Sequence, residues 1–143
     1  MKILVSDDVS MKGVDLLREN GYEVDVKKNL DEQGLIDCIG EYDGLITRSM
    51  THVTEKVIEA ATKLKVIGRA GVGVDSIDLK SATARGIVVV NTPTSNTLAA
   101  TEHTCAMIMA ITRHLPQAHP SLMAGHWDRT TLTGIQLQNK TIG

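Results

Sequence analysis

Phenylalanine is absent, and the aromatic residues are Tyr22, Tyr42 and Trp127 alone. A surface that grips single-stranded nucleic acid by stacking its bases would have too few rings to work with. Charge of one sign is scarce too: the net charge of -2 gives no reason to expect nucleic acid or an anionic membrane as partner. Cys38 and Cys105 lie far apart with no CxxC pair, and the expectation is two reduced, buried thiols in a cytoplasmic protein. The five histidines form neither an HExxH motif nor a cluster with cysteine, so no metal site is expected. Long hydrophobic runs are missing, since the longest, CAMIMAI at 105–111, is far short of the ~20 residues that cross a bilayer. The start, MKILVSDD, turns acidic too early for a secretory leader.

What is present suits a globular chain: 143 residues, 42% hydrophobic and 22% charged, enough for one domain or one domain and a piece of another. KILVS at 2–6 reads as a buried strand. Ser10 caps a helix to about residue 20, with Val14, Leu16 and Leu17 facing inward and Gly21 ending it. YEVDV at 22–26 alternates like a strand, and 31–39 reads as a short helix carrying Leu35, Ile36 and Ile39. GLIT at 44–47 is a third strand, Thr54 caps the helix EKVIEAATKL, and 65–67 is a fourth strand. Asp78 opens a helix to about Arg85, and Gly86 leads into a fifth strand, IVVV. Apolar strands alternating with helices predict an α/β fold, a parallel sheet with helices on both faces. Ligands of such sheets bind beyond the carboxyl ends of the strands, which here means 7–8, 47–51, 69–74 and 91–96.

The organisation changes after Pro93. Asn96 or Thr97 caps a long helix to about Arg113, apolar on nearly every face in its second half and therefore expected to be buried all round, between domains or subunits. Pro116 is expected to break it, a short helix carries Leu122 and Met123, and QLQNKTIG reads as a turn and the first residues of another strand. A chain that stops at the entrance to a strand is expected to be a piece of something longer.

LKVI runs into GRAGVGVDSID, a strand entering a glycine turn. A dinucleotide fingerprint needs a third glycine where Ser76 stands, and the carboxylates of Asp75 and Asp78 would repel a pyrophosphate. No GK[ST] follows, so a nucleotide-triphosphate loop fails as well. The turn instead offers the amides of Gly71, Val72 and Gly73 as a small anion nest, suited to a carboxylate. The plainer alternative is that the glycines only let the chain turn sharply. Arg48 and Ser49, at the end of the third strand, supply a second anion contact on the same edge. ILVSDD also fits a phosphate-receiving signalling domain, but Thr47-Arg48 and Asn91-Thr92-Pro93 stand where that domain needs an aspartate and a Lys-Pro pair. A general binding domain of flavodoxin-like fold stays open.

RSMTHVTEKVIEAATKLKVIGRAGVGVDSIDL, GIVVVNTPTSNTLAATEHT and GHWDR together resemble the D-2-hydroxyacid dehydrogenases, over essentially the whole chain. The resemblance implies a flavodoxin-like (Rossmann-like) substrate domain with an NAD domain inserted within it. Residues 1–97 would be the N-terminal part of the substrate domain. Residues 98–143 would be a connecting helix that supports a homodimer, and the approach to the NAD domain, whose GxGxxG would follow Gly143. By the same resemblance Arg48, Ser49 and Asn96 contact substrate, and the amides of Val72 and Gly73 hold its carboxylate. Val72 also faces the nicotinamide of NAD, and Arg69 is a further anion contact. Asn96 has the alternative of simply capping the helix that follows, and His103 is expected to be structural. No catalytic residue of the family is expected before Gly143. The implied reaction is NAD-dependent oxidation of 3-phosphoglycerate to 3-phosphohydroxypyruvate in serine synthesis, with this chain inactive alone. A glyoxylate or hydroxypyruvate reductase, and a non-catalytic small-anion binding module, are the alternatives.

Overall fold

The structure, a computed structural model, describes residues 1–143 and divides into two compact units, Met1–Asn96 and Thr97–Gly143. In the first unit five strands alternate with four helices: β1 (Lys2–Val5), α1 (Met11–Glu19), β2 (Glu23–Val26), α2 (Glu32–Ile39), β3 (Gly44–Thr47), α3 (Glu55–Ala60), β4 (Val66–Arg69), α4 (Leu79–Ala84) and β5 (Val88–Asn91). All the pairings are parallel and the strand order is β2-β1-β3-β4-β5.

That order explains which face each helix takes. Only the β1-to-β2 step moves in one direction along the sheet, and the later three move in the other. Right-handed crossovers then put α1 on one face and α2, α3 and α4 on the opposite one. The register aligns Leu4, Leu45, Ile67 and Val89 in a row across β1, β3, β4 and β5. This row packs with Leu35 and Ile39 of α2, Val57 and Ile58 of α3, and Ala82 of α4 in the main core. On the other face Ile3, Val5, Val24 and Ile46 pack with Val14 and Leu17 of α1. One helix cannot cover five strands, so Val88 and Val90 of β5 stay exposed there. The buried Tyr42, at the edge of the main core, donates its hydroxyl to Asp25 Oδ2 at 2.9 Å, and burial raises its pKa.

Several helix ends differ from the expectation. Leu16 points outward at 60% exposure, because Val14 and Leu17 alone reach the sheet. Ser10 and Thr54 occupy N-cap positions without a side-chain capping bond; Thr54 Oγ1 is engaged by Glu32 Oε1 instead, at 2.6 Å. The caps that do form are Asp31 on the amide of Gly34 and Asp78 on that of Ser81. Helix α3 ends at Ala60, four residues early, and Arg85 Nη1 donates to the carbonyls of Ile58 and Glu59 at 2.9 and 2.8 Å. Both are carbonyls of its last turn, where Ile58 O also accepts from the C-cap amide of Ala61 at 3.2 Å.

The second unit holds α5 (Thr97–Thr112) and α6 (Leu115–Met123), and no residue of either is buried. Within the single chain the apolar side chains of α5 are uncovered, Ile111 for example being 65% exposed. Cys105 is accordingly exposed rather than buried, Cys38 is half-buried, and both are free thiols. The break between the helices lies at His114, in the left-handed region at φ 51°, and Pro116 sits in the first turn of α6, where its missing N–H costs nothing. QLQNKTIG forms no strand, since no neighbouring strand pairs with it; the segment before it is held by Ile135 N donating to Thr112 O at 2.9 Å. No helix is long and apolar enough to cross a membrane.

Candidate functional site

The strand order reverses between β1 and β3, and the loops beyond their carboxyl ends open on the crevice where doubly wound sheets bind ligands. The loop after β3 carries Arg48, Ser49 and Met50, all exposed. Beneath it lies Asp7, only 5% exposed, at the end of β1. Its Oδ2 accepts from the Arg48 amide, from Thr47 Oγ1 at 3.0 Å and from the Thr51 amide at 3.2 Å, and its Oδ1 from Thr51 Oγ1 at 3.0 Å. Burial opposes the charge, yet the N–H and hydroxyl donors outweigh it and hold the carboxyl below its ordinary range. The Arg48 guanidinium donates through Nη1 to the carbonyl of Asp8 at 3.0 Å. The Asp8 carboxylate pairs with Lys28 Nζ, whose hydrogen bond and charge, with the charge of Arg48, lower its pKa.

The glycine turn is pinned on two sides. Ala70 N donates to Thr47 O at 2.8 Å, while Asn91 Nδ2 donates to Val72 O at 2.6 Å and Thr92 N to Gly71 O at 3.0 Å. Gly71 N is spent on Arg69 O at 2.9 Å, so the expected three-amide nest is corrected to two. The amides of Val72 and Gly73 have no acceptor in the protein, and the Val72 side chain is 39% exposed. A Cβ on Gly71 would lie 2.6 Å from Arg69 Nη1, and one on Gly73 2.7 Å from Asp75 Oδ2. Neither glycine has positive φ, so their smallness rather than their flexibility is in use. A groove of about 200 Å³ lies beside this turn, lined by Ile46, Gly68, Arg69, Ala70, Val90, Asn91 and Thr92.

Arg48 and Ser49 therefore stand at one strand end and Val72 and Gly73 beyond the next, since Thr47 and Arg69 are partners in the β3–β4 register. Asn96 is exposed just before α5, and no hydrogen bond joins it to the other four. Sequence reasoning placed Asp7 at this edge without seeing its role. The only signal was the alternation Ile3, Val5, Asp7, which puts Asp7 in line with inward-facing residues.

The turn does not fit a dinucleotide pyrophosphate. Ser76 replaces the close-packing glycine, Asp75 lies against Gly73, and the N-terminus of α4 is already filled by the Asp78 carboxylate. The Ser81 amide and hydroxyl bonded to Asp78 lower its pKa, as expected of a charged cap.

Residues 3–138 match the family described as D-isomer specific 2-hydroxyacid dehydrogenase, catalytic domain. The chain belongs to that family. Among its dehydrogenase relatives, D-3-phosphoglycerate dehydrogenase of Synechocystis sp. is 50% identical over 99% of this chain and 26% of its own length. The protein of the same name from Archaeoglobus fulgidus is 47% identical over 100% of this chain and 27% of its own. Of solved structures, the TT0316 protein of Thermus thermophilus superposes with a TM-score of 0.80 at 34% identity, over 96% of this chain and 46% of that one. The NAD+-bound 3-phosphoglycerate dehydrogenase of Entamoeba histolytica gives 0.70 at 33%, over 79% of this chain and 39% of that one. The chain spans about a quarter of the length of the curated dehydrogenases it matches.

Proposed function

We propose that this chain is the substrate-binding portion of an NAD-dependent dehydrogenase that oxidises 3-phosphoglycerate to 3-phosphohydroxypyruvate, a cytoplasmic step toward L-serine. One observation carries the binding role: two acceptor-free amides, at Val72 and Gly73, stand beyond the strand end next to an exposed arginine at the switch point of the sheet. Relatives about half identical that are named for 3-phosphoglycerate favour that acid over other 2-hydroxy acids. In this reading the two amides hold the carboxylate, Arg48 and Ser49 hold an anionic end of the substrate, and Asn96 makes a further contact. The Val72 side chain packs on the nicotinamide ring. Residues 1–97 belong to the substrate domain, and 98–143 are the connecting helix and the approach to the NAD domain. Because the glycine turn does not fit a pyrophosphate, the dinucleotide is held by other parts of a longer polypeptide. What this chain contributes is positioning, which supplies a large part of the rate in reactions of this kind. The apolar α5 pairs with a second subunit.

Steady-state assays of the full-length polypeptide with NAD and 3-phosphoglycerate, D-glycerate, glyoxylate and hydroxypyruvate test the reading. The expected result is turnover of 3-phosphoglycerate well above that of the unphosphorylated acids. Preference for glyoxylate or hydroxypyruvate would make it a reductase of the same family. Small-anion binding with no turnover of any of them would leave a binding module.

A further inference from the structure

The side chain beneath the proposed site is more tightly held than any in it. Asp7 receives four hydrogen bonds, and three of their donors, Thr47 Oγ1, Arg48 N and Thr51 N, converge on one oxygen. Those donors bracket Arg48, Ser49 and Met50, so both ends of the exposed loop are tied to one buried carboxylate. The next residue, Asp8, accepts from the Arg48 guanidinium with its carbonyl. The end of β1 thus fixes both the backbone and the side-chain direction of Arg48. Ser6 adds a lateral brace, its Oγ lying 3.0 Å from Thr51 Oγ1. No simpler packing role explains the choice of residue. An apolar side chain would fill the same space, but it would strand the amides of Arg48 and Thr51 without acceptors, each a costly loss in a buried place.

We infer that Asp7 is a positioning residue: it touches no ligand, and it sets the Arg48–Ser49 loop in the geometry that receives the substrate's anionic end. The inference rests on the proposed reading of Arg48 as a substrate contact. Positioning by a fixed loop acts on affinity for the acid and leaves the dinucleotide alone, because the dinucleotide is held by other residues. A misplacement of about 1 Å in such a contact weakens function by roughly tenfold to hundredfold.

The test is a kinetic cycle in the full-length enzyme with Asp7→Ala, Asp7→Asn, Arg48→Ala and the Asp7→Ala/Arg48→Ala double variant. Asp7→Ala is expected to raise the KM for the hydroxy acid at least about tenfold while the KM for NAD stays within about twofold. Asp7→Asn keeps the shape and one acceptor oxygen for the two amides, and is expected to recover most of that loss yet remain a few-fold above wild type. In the double variant the Asp7 effect should largely vanish, since it acts through Arg48. Melting curves accompany each variant. A lowered melting temperature with an unchanged KM for the acid in Asp7→Ala, or in Asp7→Asn if the alanine variant does not fold, overturns the positioning role. Fully additive effects overturn it too. If Arg48→Ala itself leaves the acid KM unchanged, the site reading fails first and this inference falls with it; if Arg48→Ala raises it and both Asp7 variants do not, this inference alone fails.

Discussion

Arg48 uses one of its five guanidinium donors on the Asp8 carbonyl, which leaves the planar fork available to a carboxylate or phosphate. Arg48→Lys keeps the charge and loses the fork. Losing one charge-assisted bond costs about 1.5–3 kcal/mol, so the substrate KM should rise roughly tenfold to hundredfold. The KM for NAD and the melting temperature should hold; early melting with normal kinetics would make Arg48 structural. Asp7 makes a second prediction, in pH. Its carboxyl is depressed in the folded state, so its contribution to stability is present above the unfolded value of about 3.9 and is lost as pH falls through the lower folded one. The gap in melting temperature between wild type and Asp7→Asn should therefore be largest near neutral pH and shrink as the pH falls below about 4. A gap that is constant across that range would show that the carboxylate's charge does not matter there. Arg48 was legible in the sequence because it ends an apolar run; Asp7 was not, because its partner Thr47 is 40 residues away.

At the scale of elements, leucines that look alike in sequence separate sharply. Leu35 of α2 is fully buried in the main core, whereas Leu16 of α1 is exposed. Leu35→Ala should cost about 2–5 kcal/mol through lost transfer energy and a residual cavity. Leu16→Ala should change stability by no more than about 0.5 kcal/mol, as exposed substitutions do. Urea unfolding of the two variants side by side checks the assignment, and equal effects would contradict the packing of α1. The five strands were readable because parallel strands buried on both faces are continuous apolar runs. The end of α3 was not, because Arg85, a residue of the next crossover, satisfies the carbonyls of its last turn. Nor was the exposure of α5, since hydrophobicity says that a face needs cover without saying what provides it.

For the molecule as a whole, two outcomes follow from its surface and its glycine turn. Exposed Ile111, Met107, Met109, Leu122 and Met123 make self-association the expected state, and sedimentation should show dimers or larger species. A clean monomer at high micromolar concentration, with no binding of an apolar-surface dye, would count against it. Calorimetry on this chain should detect no NAD binding in the submillimolar range, because Asp78 fills the α4 N-terminus and Asp75 lies against Gly73; saturable binding there would return the turn to the dinucleotide. The sequence by itself determined the alternation of strands and helices, the place of the glycine turn and the position of Arg48 at a strand end. These rest on periodicity, caps and turn residues that act within a few positions of one another. Only the tertiary structure decided the order β2-β1-β3-β4-β5, the burial of Asp7 beside an exposed Asp8, and the reduction of three turn amides to two free ones. Those depend on crossover handedness and on hydrogen bonds between distant segments, which exist only once the strands have found their neighbours.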